Sequence, residues 1–154
     1  MMNTIYMMVG IPGSGKTSIA HKLQITLDAI IVSSDFVRLT HPKWKESLIF
    51  PEVYRLIGEH LRNHQHVIFD ATNIDVETRK RHLAAIREEA NSFRLVAYFI
   101  KTDPSVCIKR IILRNQQANE LLFPPEIVMV YHQKLVYPTI QEGFESVITI
   151  DNND

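Results

Sequence analysis

The sequence predicts an α/β fold built on a five-stranded parallel sheet. Short apolar, β-branched runs alternate with longer segments of helical period, the pattern of βαβ units. A glycine-rich turn joins the first run directly to the first helical segment. Polar residues follow the runs at the positions where the carboxyl ends of parallel strands form a ligand-binding edge. In chain order, strands are expected at Thr4–Val9, Ala29–Ser33, His66–Asp70, Arg94–Ile100 and Ser146–Ile150. Helices are expected near Gly15–Leu27, Asp35–Thr40, Pro51–His64, Asp75–Asn91, Pro104–Asn115 and Pro125–Tyr137, three of them opening on a proline, a residue tolerated in a first helical turn.

Composition narrows the class. At 154 residues, 45% of them hydrophobic, the chain has the size and apolar content of one domain with a proper core. No linker, low-complexity tract or internal repeat divides it, so residues 1–154 are read as a single domain. Seventeen Lys and Arg balance seventeen Asp and Glu, which argues against wrapping long nucleic acid or lying on an anionic membrane, and leaves room for a local basic pocket. One cysteine, Cys107, permits no internal disulfide and no disulfide framework, and suits a reducing, cytoplasmic setting; its plain reading is a small apolar helix residue. The apolar stretch Ile5–Val9 is too short for a membrane span and runs into the glycine turn without a cleavage site, so neither membrane nor secretion is expected.

The turn carries the sharpest signal. Gly10-Ile11-Pro12-Gly13-Ser14-Gly15-Lys16-Thr17 fits GxxxxGK[ST] between a strand and a helix, the pattern of a phosphate-binding P-loop. Glycines at 10, 13 and 15 let successive backbone N–H groups face phosphates, and the following helix adds the positive end of its dipole. Lys16 is placed to reach the β- and γ-phosphates of ATP or GTP, and Thr17 to put its hydroxyl on Mg²⁺. A P-loop indicates nucleotide and not reaction, because switches, ATPases and kinases share it.

The other strand ends offer an acceptor side. In Ser33-Ser34-Asp35-Phe36-Val37-Arg38, Ser34 is a reasonable N-cap, putting Asp35 and Arg38 on one helical face. A carboxylate there can take a proton from an attacking hydroxyl, and an arginine can hold an acceptor phosphate in bidentate fashion. A plain surface ion pair is the competing reading. The third strand ends Phe69-Asp70-Ala71-Thr72-Asn73, so Asp70 occupies a Walker B position, holding the metal directly or through water, or alternatively orients Arg38. Thr72 and Asn73 either contact substrate or cap the next helix. Farther on, Arg110 and Arg114 share a helical face in a segment, roughly 104–124, that reads as a helical lid able to neutralise phosphate charge, or else as a solvated basic face. His60, His64 and His66 are taken as helix-end residues and not as a metal site. Trp44, between two lysines, could stack a base but suits a partly buried anchor better; Tyr131, Tyr137 and Phe144 suit packing.

With the loop, the SDxxR helix, the DxTN strand end and the Arg114-Asn115 lid in this order, the chain resembles the kinase half of the bacteriophage-type polynucleotide 5′-hydroxyl kinases and their small stand-alone relatives, over nearly its whole length. The resemblance implies a three-layer P-loop NTPase fold with strand order 2-3-1-4-5. It implies Lys16 and Thr17 on nucleotide and metal, Asp35 as general base on the 5′-hydroxyl and Arg38 on the neighbouring phosphate. It further implies Asp70 supporting the acceptor site, lid arginines on the donor phosphates, and a nucleic-acid 5′ end as partner, with repair of nicked ends the usual role. The family lid reads R-N-x-x-R, whereas Ala118 stands here at the second arginine; Arg110, one turn earlier, is the candidate replacement. No DxDxT phosphatase signature is present. Two other readings stay open: a kinase of a small-molecule hydroxyl, on a nucleoside, sugar or antibiotic, and a nucleotide-binding module with weak hydrolysis.

Overall fold

In the computed structural model, which describes residues 2–117 and 121–154, five strands form one fully parallel sheet. They are β1 (Thr4–Val9), β2 (Ala29–Ser33), β3 (His66–Asp70), β4 (Arg94–Lys101) and β5 (Ser146–Asp151), in the order β2-β3-β1-β4-β5. The helices are α1 (Lys16–Leu27), α2 (Ser34–Thr40), α3 (Ile49–Arg62), α4 (Val76–Glu89), α5 (Pro104–Arg114) and α6 (Ile127–Lys134). Fold class and strand order match the expectation from sequence, and none of the described helices is long and apolar enough to cross a membrane.

The layers follow from the period-2 alternation of strand side chains. Ile5, Met7 and Val9 of β1, Val67 and Phe69 of β3, and Leu95, Ala97 and Phe99 of β4 point to one face, where Val53, Ile57 and Leu61 of α3 and Leu83 and Ile86 of α4 close over them. Met8, Ile68, Tyr98 and Ile100 point to the other, onto Ala20, Ile19 and Leu23 of α1. The central strand is therefore covered on both sides, which is why it reads as a continuous apolar run. At the carboxyl edge of the sheet a third cluster joins Ile11 and Ile74 to Cys107 and Ile111 of α5 and Val128 of α6. Cys107 is free and buried as expected, and burial pushes its thiol up to about 11, away from nucleophilic use.

Local chemistry sets the element ends, with small corrections to the sequence reading. Ser33, not Ser34, caps α2: its Oγ accepts from Phe36 N at 3.2 Å, and Ser34 is the first helical residue. α3 starts at Ile49, two residues ahead of Pro51, because a missing N–H does no harm within a first turn. α4 is capped by Asp75, whose carboxylate accepts from Thr78 N at 2.8 Å, so the capping proposed for Asn73 falls to a residue two positions later. α6 ends at Lys134; beyond it Val136 N leaves the helix pattern to donate to Ile74 O at 2.9 Å. The three histidines near 60–66 are structural: His60 Nδ1 meets Gln65 Oε1 at 2.8 Å, His64 takes a positive φ of 61° in the α3–β3 turn, and His66 Nδ1 accepts from Thr4 N at 3.0 Å.

A polar network is buried beside the core. Arg79, 1% exposed, pairs with Glu142 at 2.7 Å and donates to Asn73 O at 2.8 Å, while Asn73 Oδ1 bonds His82 Nδ1 at 2.9 Å. Burial, aided by Arg81, lowers His82 to about 4. Below the ordinary histidine value of 6.5 the unfolded chain takes up a proton that the folded chain resists, so stability is complete above pH 6.5 and is lost as pH falls toward 4. The full difference is about 3 kcal/mol. Melting temperature measured from pH 7 to 4.5 is expected to fall more steeply in the wild type than in His82→Phe, which keeps a ring among the aromatics and carries no titrating nitrogen. Equal slopes would remove His82 from this account.

Candidate active site

The strand order brings the carboxyl ends of β1, β2 and β3 together, and a cleft of about 1670 Å³ opens above them. Its floor is the P-loop. Gly13 and Gly15 hold φ of 82° and 91°, a conformation that side chains rarely adopt, and a Cβ on Gly13 would stand 2.6 Å from the main-chain oxygen of Cys107 on α5. Gly15 is the N-cap of α1, so the first-turn amides of that helix have no intrahelical partner and are available at the cleft. Pro12, Gly13, Gly15, Lys16 and Thr17 line it, while the buried Gly10, Ile11 and Ser14 form the back of the loop. Among the described residues Ser14 Oγ is the buried side-chain polar atom without a hydrogen-bond partner. A cradle of this kind fits a polyphosphate.

Charge in the cleft is arranged around Lys16. Its ammonium donates to Ile11 O at 3.2 Å, folded back onto the loop. Desolvation lowers its pKa, with Asp70 and Asp35 pulling the other way and Arg114 adding to the lowering, which places all four groups within one electrostatic neighbourhood. Asp70, 3% exposed at the end of β3, accepts a hydrogen bond from Thr17 Oγ1 at 2.7 Å. Burial raises the Asp70 pKa, against the opposing pull of Lys16 and of the Thr17 bond. These two oxygens are hard donors of the sort Mg²⁺ takes, usually one or two carboxylates completed by substrate phosphates and water. No group of three or more His, Cys, Asp or Glu side chains able to hold a metal occurs among the described residues, so the fit is to a metal shared with phosphate and not to a protein cage.

On the opposite wall, Asp35 and Arg38 form the expected pair on α2, Arg38 Nη1 donating to Asp35 Oδ1 at 2.7 Å. Sequence reading missed the third member. Glu46, eight residues past Arg38, accepts from Arg38 Nε at 3.1 Å and from Nη2 at 2.5 Å, so a carboxylate occupies the fork that an acceptor phosphate would use. Nothing periodic links positions 38 and 46; the turn at 41–45 brings them together.

The lid residues divide. α5 is packed onto the loop through Cys107 and Ile111 and is not held above it as a detached cover. Arg110 borders the cleft, but its guanidinium donates to four main-chain oxygens, those of Gly13, Ser14, Asn152 and Asp154, at 2.8–3.3 Å. Through these contacts it braces the back of the loop beside the cleft where the sequence expects it to meet donor phosphates. Arg114 lines the cleft, with its guanidinium carbon 5.7 Å from the centre of the Phe123 ring. Ala118, the position of the missing second arginine, lies outside the described residues. Thr72 lines the cleft and its carbonyl accepts from Gly10 N at 3.1 Å. Asn73, for which the sequence left substrate contact and helix capping open, is fully buried with φ 46°, its Nδ2 donating to Met8 O at 2.8 Å, and clamps the β3–α4 loop to β1. Trp44 is a surface stack on His41, ring centres 3.6 Å apart.

A family model described as AAA domain matches residues 5–136. The chain belongs to this AAA domain family. The matched stretch contains the P-loop, the α2 pair, Asp70 and α5. The chain is 27% identical over 161 residues to an L-seryl-tRNA(Sec) kinase of Methanococcus maripaludis, a match that takes in 97% of this chain and 60% of that protein, so the chain spans about three-fifths of this curated relative. Among solved structures, a chain of the Pnkp1/Rnl/Hen1 RNA repair complex superposes with a TM-score of 0.75 at 23% identity, covering 94% of this chain and 47% of that one. A gluconokinase from Sinorhizobium meliloti superposes with a TM-score of 0.60 at 16% identity, covering 99% and 83%. At these identities the structures show the fold of this AAA domain, that of the P-loop kinases.

Proposed function

We propose that this chain is a Mg²⁺-dependent phosphotransferase that moves the γ-phosphate of ATP or GTP to the 5′-hydroxyl end of a polynucleotide or oligonucleotide. One observation carries the reading: a carboxylate and a guanidinium, Asp35 and Arg38, face the P-loop lysine across one cleft. The arrangement supplies a proton acceptor for the attacking hydroxyl and a planar fork for a phosphate next to it. That the fork is already filled by the carboxylate of Glu46 favours an acceptor carrying an anion, which would displace Glu46, over a neutral sugar.

The steps assigned to the protein are few, as expected where transfer depends on positioning and electrostatics. The first-turn amides of α1 and Lys16 hold the β- and γ-phosphates. Thr17 and Asp70 would hold Mg²⁺, which neutralises phosphate charge when bound. Asp35 accepts the proton of the 5′-hydroxyl as its oxygen bonds to the γ-phosphorus. The bond from that phosphorus to the β–γ bridging oxygen breaks, and the nucleoside diphosphate leaves with that electron pair. Arg114 lies where it can balance the charge on the transferred group.

Two neighbours keep a second reading in view: the gluconokinase fold likeness favours a small-molecule hydroxyl, while the M. maripaludis relative is named for an RNA-linked acceptor. Transfer of label from γ-labelled ATP to a 5′-hydroxyl oligonucleotide separates them. Label is expected on the oligonucleotide, and Arg38→Gln is expected to raise KM for it by roughly 10-fold or more, the worth of a charge-assisted phosphate contact. An unlabelled oligonucleotide beside a labelled sugar or nucleoside transfers the assignment to the small-molecule reading. No label anywhere leaves the chain as a nucleotide-binding module.

A further inference from the structure

His82 is 3% exposed, yet it borders the cleft on the acceptor side. Its ring stacks on Phe50 with centres 4.6 Å apart and 21° between planes, and leans on Tyr54 and Phe69. Its tautomer is set by its neighbour. The Asn73 amide nitrogen donates to Met8 O, which leaves Asn73 Oδ1 as an acceptor, so the hydrogen shared with His82 at 2.9 Å must sit on Nδ1. A neutral imidazole has one ring hydrogen, and Nε2 is therefore a bare acceptor. No donor among the described residues reaches it. Ser14 Oγ is the fully buried side-chain polar atom without a partner among the described residues, so Nε2 keeps access to the cleft that His82 borders, where a ligand hydroxyl can reach it.

Phe50 links this nitrogen to the phosphate clamp, because the Arg38 guanidinium carbon lies 5.7 Å from the centre of the ring on which His82 stacks. With Arg38 on the phosphate 3′ to the terminal nucleotide, as in the function proposed above, the sugar carbon bearing that phosphate comes next. The carbon beside it carries the 2′ substituent. Tyr54 and Arg81 also line the cleft. We propose that His82 Nε2 accepts a hydrogen bond from the 2′-hydroxyl of the acceptor's terminal ribose, which makes His82 a specificity-determining residue for RNA ends over DNA ends. The inference rests on the polynucleotide reading.

The test uses two oligonucleotides identical except that the 5′-terminal nucleotide of one lacks the 2′-hydroxyl. The wild type is expected to show kcat/KM ~10-fold higher for the ribose end. In His82→Phe, which keeps a ring on Phe50 without the acceptor nitrogen, the ratio is expected to collapse to about one. The ¹⁵N resonance of His82 Nε2, followed in the wild type without nucleotide, should shift on saturation with the ribose-ended oligonucleotide and not with its deoxy counterpart; this measurement stands even where the variant folds poorly. A wild-type ratio near one, a ratio unchanged in the variant, or an Nε2 signal indifferent to the ribose end overturns the inference while leaving 5′-phosphorylation intact. Failure of both oligonucleotides to accept label removes the proposed function and this inference together.

Discussion

Asp35→Asn is expected to lower kcat for transfer by about 10²–10⁴-fold, the range for losing a positioned general base, with nucleotide affinity within about threefold of wild type. The substitution is nearly isosteric, and its amide oxygen can still accept from Arg38 Nη1, so the clamp geometry is preserved while the proton acceptor is lost. Asp35 sits on α2, and its hydrogen bond is to Arg38 on the same helix and not to the P-loop. Single-turnover transfer and nucleotide titration, run on the same preparation, separate the two effects. Equal loss of affinity and of rate would show that Asp35 supports the donor site or the fold, and would end its role as base.

Lys16→Ala is expected to act on the donor side, weakening nucleotide binding by roughly 10- to 100-fold, the worth of a charge-assisted hydrogen bond to phosphate, and lowering turnover further because the charge also balances the transferred group. The loss reaches Asp70 as well. Lys16 is the largest influence opposing the burial-driven rise in the Asp70 pKa, so without it Asp70 holds its proton to higher pH. The pH at which transfer reaches half its plateau should therefore move upward in the variant at saturating nucleotide. Unchanged turnover and affinity in Lys16→Ala would mean that the glycine turn does not serve a phosphate at all.

Much of the frame was legible because its causes are local. The apolar runs at 4–9, 29–33 and 66–70 match β1, β2 and β3 residue for residue, since glycine, serine and aspartate bring each apolar run to an end. The P-loop was legible because closely spaced glycines and a lysine have few other physical uses, and the structure shows positive φ at Gly13 and Gly15 where the pattern needs it. Helix ends were less certain. Ser33 and Ser34 are chemically alike as caps, and only the backbone path tells which hydroxyl meets Phe36 N.

Around the site, what stayed hidden depends on long-range contacts. Arg110 and Arg114 look equivalent on a helical face, but α5 packs so that Arg110 is drawn to the carbonyls behind the loop while Arg114 borders the cleft. Asn73 has the composition of a substrate contact and turns inward, because β1 next to β3 offers it the Met8 carbonyl. Glu46 and His82 carried no usable signal: one lies beyond a turn from its partner, and the other sits in the strongly charged run Arg79-Lys80-Arg81-His82.

By itself the sequence determined the α/β architecture, the phosphate loop and the identity of an acid–arginine pair at the ligand edge, because alternation, glycine geometry and i, i+3 spacing act over a few residues. Only the tertiary structure decided which charges share the cleft, that Glu46 fills the Arg38 fork, and that His82 keeps an acceptor nitrogen without a donor. Those outcomes depend on which strands lie side by side and which helices cover them, and so on contacts between residues far apart in the chain.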